Sequence, residues 1–271
     1  MRSLGWNRPT DTQLARCKAG PHARDILADV VPAETVDLSY LVKVLNQYNL
    51  GSCVLNAIAQ AIHAEQVRTG APVSTEFISR LFAYYLARLE DGNQNADTGT
   101  QICTGFDAIA RMGFCPESVW PYDTSKFAVK PTAEAVWAAY DQKGLVEINY
   151  HRLDGPGVSK TELLVLVDKA LTTGRLVTWG APVSNDYCSD ILGSNPILPP
   201  IGLPIAGGHA QALCGKNTRA DGKPSYRNVN SWGASWGDFG LCDIDPEYIT
   251  WSETSDMWMV SLAPRFSGGA S

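Results

Sequence analysis

The clearest periodic signal in the chain starts at residue 53, where Cys-Val-Leu-Asn-Ala-Ile-Ala-Gln-Ala-Ile runs on as an apolar, Ala-rich stretch that predicts a helix over 53–68. Thr69-Gly70-Ala71-Pro72 stops it, because glycine suits the left-handed residue after a helix and proline cannot continue one. Ser74-Thr75-Glu76 reads as an N-cap with an acidic first turn, and apolar residues at 77, 78, 81, 82, 85 and 86 carry one helical face to about Leu89. Polar residues 91–100 predict a loop. A third helix is expected over 101–112, closing at Gly113, and another helical stretch over 132–142. Beyond that the period shortens. Residues 145–150 and 176–179 read as strands, 160–172 as a helix stopped at Gly174, and 209–214 and 226–230 as paired strands around Ala220-Asp221-Gly222-Lys223. Residues 1–38 show no sustained period and are expected to form an extended arm; a structural strap is the first reading and occlusion of a cleft the second. The Pro/Gly/Ser-rich stretch 184–208 is a long loop, read equally as a lid or as a packed segment.

Composition narrows the partners. At 271 residues with 45% hydrophobic and 18% charged positions, the chain can bury a sizeable core as one large domain or two small ones. A net charge of −6 with scattered Lys and Arg gives no footprint for nucleic acid or an anionic membrane. No stretch approaches the roughly 18 apolar residues of a membrane span, and Met-Arg-Ser-Leu-Gly-Trp-Asn-Arg-Pro has no export-type apolar region, so a cytoplasmic location is expected. Seven cysteines, widely spaced and without a CxxC pair, suggest neither a disulfide framework nor a zinc site, and a reducing compartment. Cys17, Cys103, Cys115, Cys188, Cys214 and Cys242 are expected to be structural or incidental thiols.

Cys53 stands apart because the tight Gly51-Ser52-Cys53 turn places it at a helix N-terminus, where unpaired N–H groups and the helix dipole favour a thiolate. A thiolate nucleophile needs a base, and only four histidines exist. His22 lies in the irregular arm, His63 ten residues along the helix that Cys53 starts, and His151 among charged residues at a strand end. His209 follows Gly207-Gly208 and opens an apolar strand, which leaves its ring room to face a cleft. In Asn230-Ser231-Trp232-Gly233-Ala234-Ser235-Trp236-Gly237-Asp238-Phe239-Gly240, the Asn side-chain oxygen can accept from an imidazole N–H and fix its tautomer, while a flanking Trp shields that bond from water.

Taken in order, Gln47, Gly51-Ser52-Cys53, Gly208-His209-Ala210 and Asn-Ser-Trp-Gly-x-x-Trp-Gly-x-x-Gly resemble the active-site motifs of the papain-like cysteine peptidases. The resemblance covers about 36–260. It implies Cys53 as nucleophile, His209 as base and then acid, Asn230 as the group orienting it, and Gln47 with the Cys53 N–H as oxyanion donors. It also implies that Trp232 covers the His–Asn bond, and that Gly99 and Thr100, within Asp97-Thr-Gly-Thr-Gln-Ile102, and Gly208 line the substrate cleft. Pro116-Glu-Ser-Val-Trp-Pro-Tyr122 is similar to the segment that follows in bacterial members.

The chain departs from the family pattern at four places. Leu50-Gly-Ser-Cys53-Val54 stands where secreted relatives have Cys-Gly-Ser-Cys-Trp, so their first structural cysteine is missing and a disulfide-free protein is expected. Gly208 replaces the Asp of many relatives. From Cys53 to His209 is 209 − 53 = 156 residues, beyond the usual ~130–150, with 184–208 supplying the excess. The 38-residue arm is too short for the long inhibitory propeptide of lysosomal relatives, and in this the chain resembles bacterial or phage members that lack one.

The resemblance therefore implies an α+β, papain-like two-lobed fold: a helical lobe over 47–145 and a β-barrel-like lobe over 146–262 within a catalytic domain at 39–262, with a tail at 263–271. It implies hydrolysis of polypeptide substrates through a thioester acyl-enzyme, with no cofactor and no metal; calcium has no motif to hold it, since 91–97 lacks the alternating ligands of an EF-hand. A transpeptidase, isopeptidase or amidase using the same residues is the alternative within the same chemistry, and a binding or assembly component of an effector or phage particle the alternative outside it.

Overall fold

The computed structural model describes residues 2–70, 76–189 and 195–265. Two short helices, α1 (Asp11–Arg16) and α2 (Ala23–Ile26), lie in the arm, followed by the two-residue strand β1 (Val36–Asp37). Helices α3 (Cys53–Thr69), α4 (Arg80–Glu90), α5 (Ile102–Met112) and α6 (Ala133–Leu145) make up the helical half. Strand β2 (Val146–Arg152), helix α7 (Lys160–Thr172) and strands β3 (Val177–Ser184), β4 (Ile205–Thr218), β5 (Pro224–Val229) and β6 (Leu241–Ile244) follow, then α8 (Pro246–Ile249) and β7 (Ser255–Pro264).

Helix α3 is the axis of the core. Its residues 53–62 are all buried, so it shows little amphipathicity and is covered on every side, by β4 and β7, by α5 and by α4. Fully burying side chains such as Leu55, Ile58 and Ile62 contributes about 1.5–3 kcal/mol each. Helix α5 approaches α3 closely at Gly105, where an added Cβ would lie 2.6 Å from the Ile58 side chain. Gly70, at φ +57°, ends α3 in the left-handed conformation that the sequence predicts.

Helix α4 starts later than its sequence pattern implies. Its cap is Ser79, whose Oγ accepts from the Phe82 N–H at 3.1 Å. Phe77 and Ile78 lie before the helix because their backbone pairs with the segment around Pro116: Ser79 N donates to Cys115 O, and Glu117 N to Phe77 O. The expected cap residues Ser74 and Thr75 lie outside the described residues.

The strands form one antiparallel sheet in the order β2-β7-β3-β4-β5-β6, with β1 added to β4. Among the described residues β2 and β6 are not paired to each other, so the strand-rich half is an open sheet and not the closed barrel its expected shape suggested. The β2 edge packs instead against α5 and α6. Within the long β3–β4 pairing, His209 sits opposite Ala181 and Gly208 opposite Pro182. Of the long loop, the part after residue 194 docks on the β6 edge: Ile197 N donates to Asp243 O at 2.8 Å and accepts at its own O from Asp245 N at 3.0 Å. That favours the packed reading over the lid for these residues.

A second correction concerns the cysteines. Cys17 and Cys103 form a disulfide that ties the arm to the start of α5, with Cα atoms 6.1 Å apart. Sequence spacing hid it, because 86 positions separate the pair and only the folding back of the arm over α5 brings them together. The expectation of a disulfide-free chain fails on this bond. The other five cysteines are free thiols. No helix among the described residues is long and apolar enough to cross a membrane.

Candidate active site

The Gly51-Ser52-Cys53 turn is held by its backbone. Asp97, from the 91–100 loop, accepts from Gly51 N with both carboxylate oxygens at 3.0 Å, and Tyr84 Oη donates to the same carboxylate at 2.5 Å. Tyr84 Oη in turn accepts from Gly99 N at 3.1 Å, so one carboxylate and one phenol fix both the Cys53 turn and the Gly99 segment beside it. Asn56 reaches back one helical turn to the Ser52 carbonyl and hydroxyl at 3.0 and 3.1 Å. Cys53 emerges from this turn fully buried.

On the sheet side, the His209 Nε2 lies 2.8 Å from Asn230 Oδ1, and the imidazole stacks on Trp232 with ring centroids 4.3 Å apart and planes 21° apart. With the Asn oxygen as acceptor, Nε2 carries the proton and Nδ1 is left basic. That Nδ1 is buried and has no hydrogen-bond partner. Strand β4 supplies His209, and Asn230 follows directly on β5, so the sheet register itself sets their separation. Gln47 bridges the two sides: its Oε1 accepts from Ser231 Oγ at 2.6 Å, which turns its Nε2 toward Leu50 O at 2.9 Å. The other histidines are structural. His22 caps α2, His63 stacks on Phe77 at 4.1 Å, and His151 bonds Pro21 O and Ser261 Oγ, each at 2.9 Å.

The arm lies in this cleft. Ser3 O accepts from Gln47 Nε2 at 3.0 Å, and the N–H groups of Gly5 and Ala210 face the Cys53 sulfur. Gly5 O accepts from Thr100 N at 2.9 Å, Asn7 N donates to Thr100 O at 3.0 Å, and Trp6 N donates to Gly208 O at 3.1 Å. Trp6 is buried, and its Nε1 donates to Asp256 Oδ2 at 3.1 Å. Arg2 covers Trp232, 5.7 Å from the ring centroid, and donates to its carbonyl at 3.3 Å. The fit requires bare backbone: an added Cβ would lie 1.8 Å from Gly51 O at Gly5, 2.1 Å from Gly5 O at Gly99, and 2.2 Å from Trp6 O at Gly208. Gly99, Thr100, Gly208 and Trp232, singled out in the sequence as cleft-lining, all touch the arm.

Burial under the arm governs the electrostatics. Loss of water pushes the Cys53 thiol up to about 11, with the N–H groups of Ala210 and Gly5 offsetting only part. Burial likewise lowers the His209 imidazole to about 4 against the opposing bond to Asn230. The thiolate expected from the helix N-terminus is thus suppressed in this state, because a dipole effect of about 0.3–1 kcal/mol is outweighed by desolvation. Cys53 and His209 are both neutral here near pH 7.

The sequence is 31% identical over 229 residues to an uncharacterized peptidase C1-like protein of Acanthamoeba polyphaga mimivirus, a match covering 83% of this chain and 71% of the relative. The chain belongs to the papain-like cysteine peptidases, family C1. No family model matches the sequence. Among solved structures, the cysteine protease xylellain of Xylella fastidiosa superposes with a TM-score of 0.76 at 26% identity, over 96% of each chain. The bromelain protease of Ananas comosus shares the fold, with a TM-score of 0.61 at 20% identity over 86% of this chain and 98% of that one.

Sequence reasoning assigned no contact to three residues that shape this papain-like cleft: Asp97, quoted only as the start of the cleft-wall segment, Trp6 and Asp256. Asp97 had only its polar loop as a signal. Trp6 was visible as a large aromatic in an otherwise irregular arm, and Asp256 carried no local signal at all, since its neighbours are brought by β7 crossing the start of α5.

Proposed function

We propose that this chain is a cysteine peptidase acting on polypeptides, and that the full-length form is held closed by its own residues 2–8. The observation that carries the proposal is the seating of a peptide backbone on the groups an acyl substrate would use: a carbonyl, Ser3 O, on Gln47 Nε2, flanked by main-chain bonds to Thr100 and Gly208. What faces the sulfur from the arm is the Gly5 N–H.

Once the arm leaves, water and ligand reach the dyad and both pKa values relax toward an ion pair. Cys53 Sγ gives its proton to His209 Nδ1 and attacks the substrate carbonyl carbon. The oxyanion forms between Gln47 Nε2 and the Cys53 N–H, where donors are fixed in advance and cost no reorganisation. His209 then protonates the leaving amine, giving a thioester. Water, deprotonated by the same Nδ1, hydrolyses the thioester and returns the thiol. Asn230 holds the imidazole in the tautomer these steps need, and Trp232 keeps water from the bond between them.

The test compares the full chain, Trp6→Ala and Trp6→Ala with Cys53→Ala on a mixture of unstructured peptides, with cleavage read by mass. Cleavage that appears with Trp6→Ala and vanishes with the added Cys53→Ala is the expected result. Intact peptides in the presence of a Cys53 that reacts readily with iodoacetamide would overturn the peptidase reading.

A further inference from the structure

The seat that holds the Trp6 side chain is more specialised than an apolar dent. Its wall is the bare backbone of Gly180 on β3, where an added Cβ would fall 2.1 Å from the indole, and of Gly208 beside it, where an added Cβ would fall 2.9 Å from the ring. Its floor is the carboxylate of Asp256, fully buried. Asp256 stands at φ +61°, a conformation that non-glycine residues adopt only when their surroundings hold them there. Asp154 does so by accepting from Asp256 N at 2.8 Å and Met257 N at 3.2 Å.

The carboxylate is committed at three of its four bonds. Oδ1 accepts from Trp258 Nε1 at 2.6 Å and Cys103 N at 3.2 Å, and Oδ2 from Ile102 N at 2.7 Å, so Asp256 caps α5 from the neighbouring strand. The fourth donor is the Trp6 indole, at 3.1 Å on Oδ2. When the arm withdraws, the three structural bonds remain and one acceptor position faces an empty pocket. Buried carboxylate oxygens left short of a donor are costly, so a ligand returning the donor is favoured over one that only fills the volume.

We infer that this pocket selects an indole-bearing substrate residue, tryptophan, next to the residue that faces Cys53. The position follows from the arm once its direction is counted: Gly5 faces the sulfur, and its neighbour Trp6 fills the pocket while its N–H bonds Gly208 O. The arm runs parallel to the segment at Thr100, so a substrate laid antiparallel on Thr100 brings to this pocket the residue that precedes the one facing Cys53. A site built around a donor rejects the analogue that lacks one, and phenylalanine is the nearest such analogue here. Asp256 and Gly180 are then the specificity-determining residues of the cleft, one by chemistry and one by the space it leaves. The inference rests on the peptidase reading for its use of the pocket, but pocket preference is measurable without turnover.

The experiment uses the full chain carrying Trp6→Ala and acyl-Xaa-Gly chloromethyl ketones with Xaa as Trp, Phe, Leu or Arg, following alkylation of Cys53 by mass. Trp is expected to label roughly tenfold or more faster than Phe or Leu. Adding Gly180→Ala, whose methyl would occupy the indole's place, should remove the Trp advantage and leave Leu the faster probe. Equal rates for Trp, Phe and Leu, or a preference for Arg over Trp, overturn the inference. So does a failure of every probe while iodoacetamide still reaches Cys53, because the cleft then accepts no peptide. Ranked labelling without peptide cleavage would sink the peptidase reading and leave the pocket standing; cleavage without a Trp preference would do the reverse.

Discussion

The two sides of the cleft are built on different principles. On the helix side, the Cys53 turn is held through its backbone groups: Gly51 N clamped by Asp97, a carbonyl braced by Asn56, and a close approach of the arm that only glycine at 99 permits. On the sheet side, His209 is placed by side chains: one bond to Asn230 and one ring stacked on Trp232. The helix side, where Asp97, Tyr84 and Asn56 share the clamping, should lose less on truncation of any one of them and fail on added bulk at Gly99, while the sheet side should fail on truncation of single groups.

The largest test of that contrast is His209→Ala in the Trp6→Ala chain, expected to lower kcat/KM by roughly 10⁴-fold, since proton transfer by a positioned base is lost. A fall of only a few-fold would mean that the base has been misassigned. Gln47→Ala, which removes one oxyanion donor, is expected to cost roughly 10²–10³ in kcat with little change in KM; a raised KM with kcat preserved would move Gln47 to a binding role.

Trp6→Ala alone should speed Cys53 alkylation in the full chain by roughly 10²-fold, the scale expected for withdrawing a buried indole from the closed state. The pH profile gives the sign. Under the arm the thiol titrates near 11 and the imidazole near 4, so neutral forms prevail between those values and alkylation grows only as pH rises toward the alkaline end. Opening restores water, lowers the thiol and raises the imidazole, so the Trp6→Ala chain should still label at pH 5.5. Identical profiles for the two chains would show that the arm does not set the state of the dyad.

The smallest effect is expected from breaking Cys17–Cys103. Gly20 N still bonds Tyr150 O at 2.9 Å, Pro21 O still meets His151, and Ala23 and Leu27 stay buried, so the arm remains tethered a few residues further on. Doubling a tether costs only about 0.6 kcal/mol, and Cys17→Ser should change Cys53 labelling by less than about threefold. A much larger rise would make the disulfide the principal latch.

The helix side of this cleft was legible in the sequence because its signals are local. An apolar run, a small-residue turn and a glycine stop lie within twenty residues of one another. His209 and Asn230 were legible from residue chemistry and the small number of candidates. The start of α4 was not, because backbone pairing of 77–79 with the Pro116 segment overrides the apolar periodicity through 77 and 78. The arm's place in the cleft left almost no trace, since its track is written as missing Cβ atoms at Gly5, Gly51, Gly99, Gly180 and Gly208, spread over 200 positions and indistinguishable one by one from turn residues. Asp256 is the extreme case. Its role exists only where β7 meets the first residues of α5.

The Cys17–Cys103 bond closes a covalent ring that contains Gln47, Cys53, Asp97, Gly99 and Thr100, while His209 and Asn230 lie on the chain that leaves it. Scission of any single peptide bond inside that ring yields two fragments that still travel as one molecule, indistinguishable in size from the uncut chain until a reductant is added. Scission ahead of Cys17 has the opposite outcome: the piece that fills the cleft is no longer linked to anything. Gel patterns with and without reductant would therefore separate nicks that only mark the protein from those that release the segment lying in the cleft.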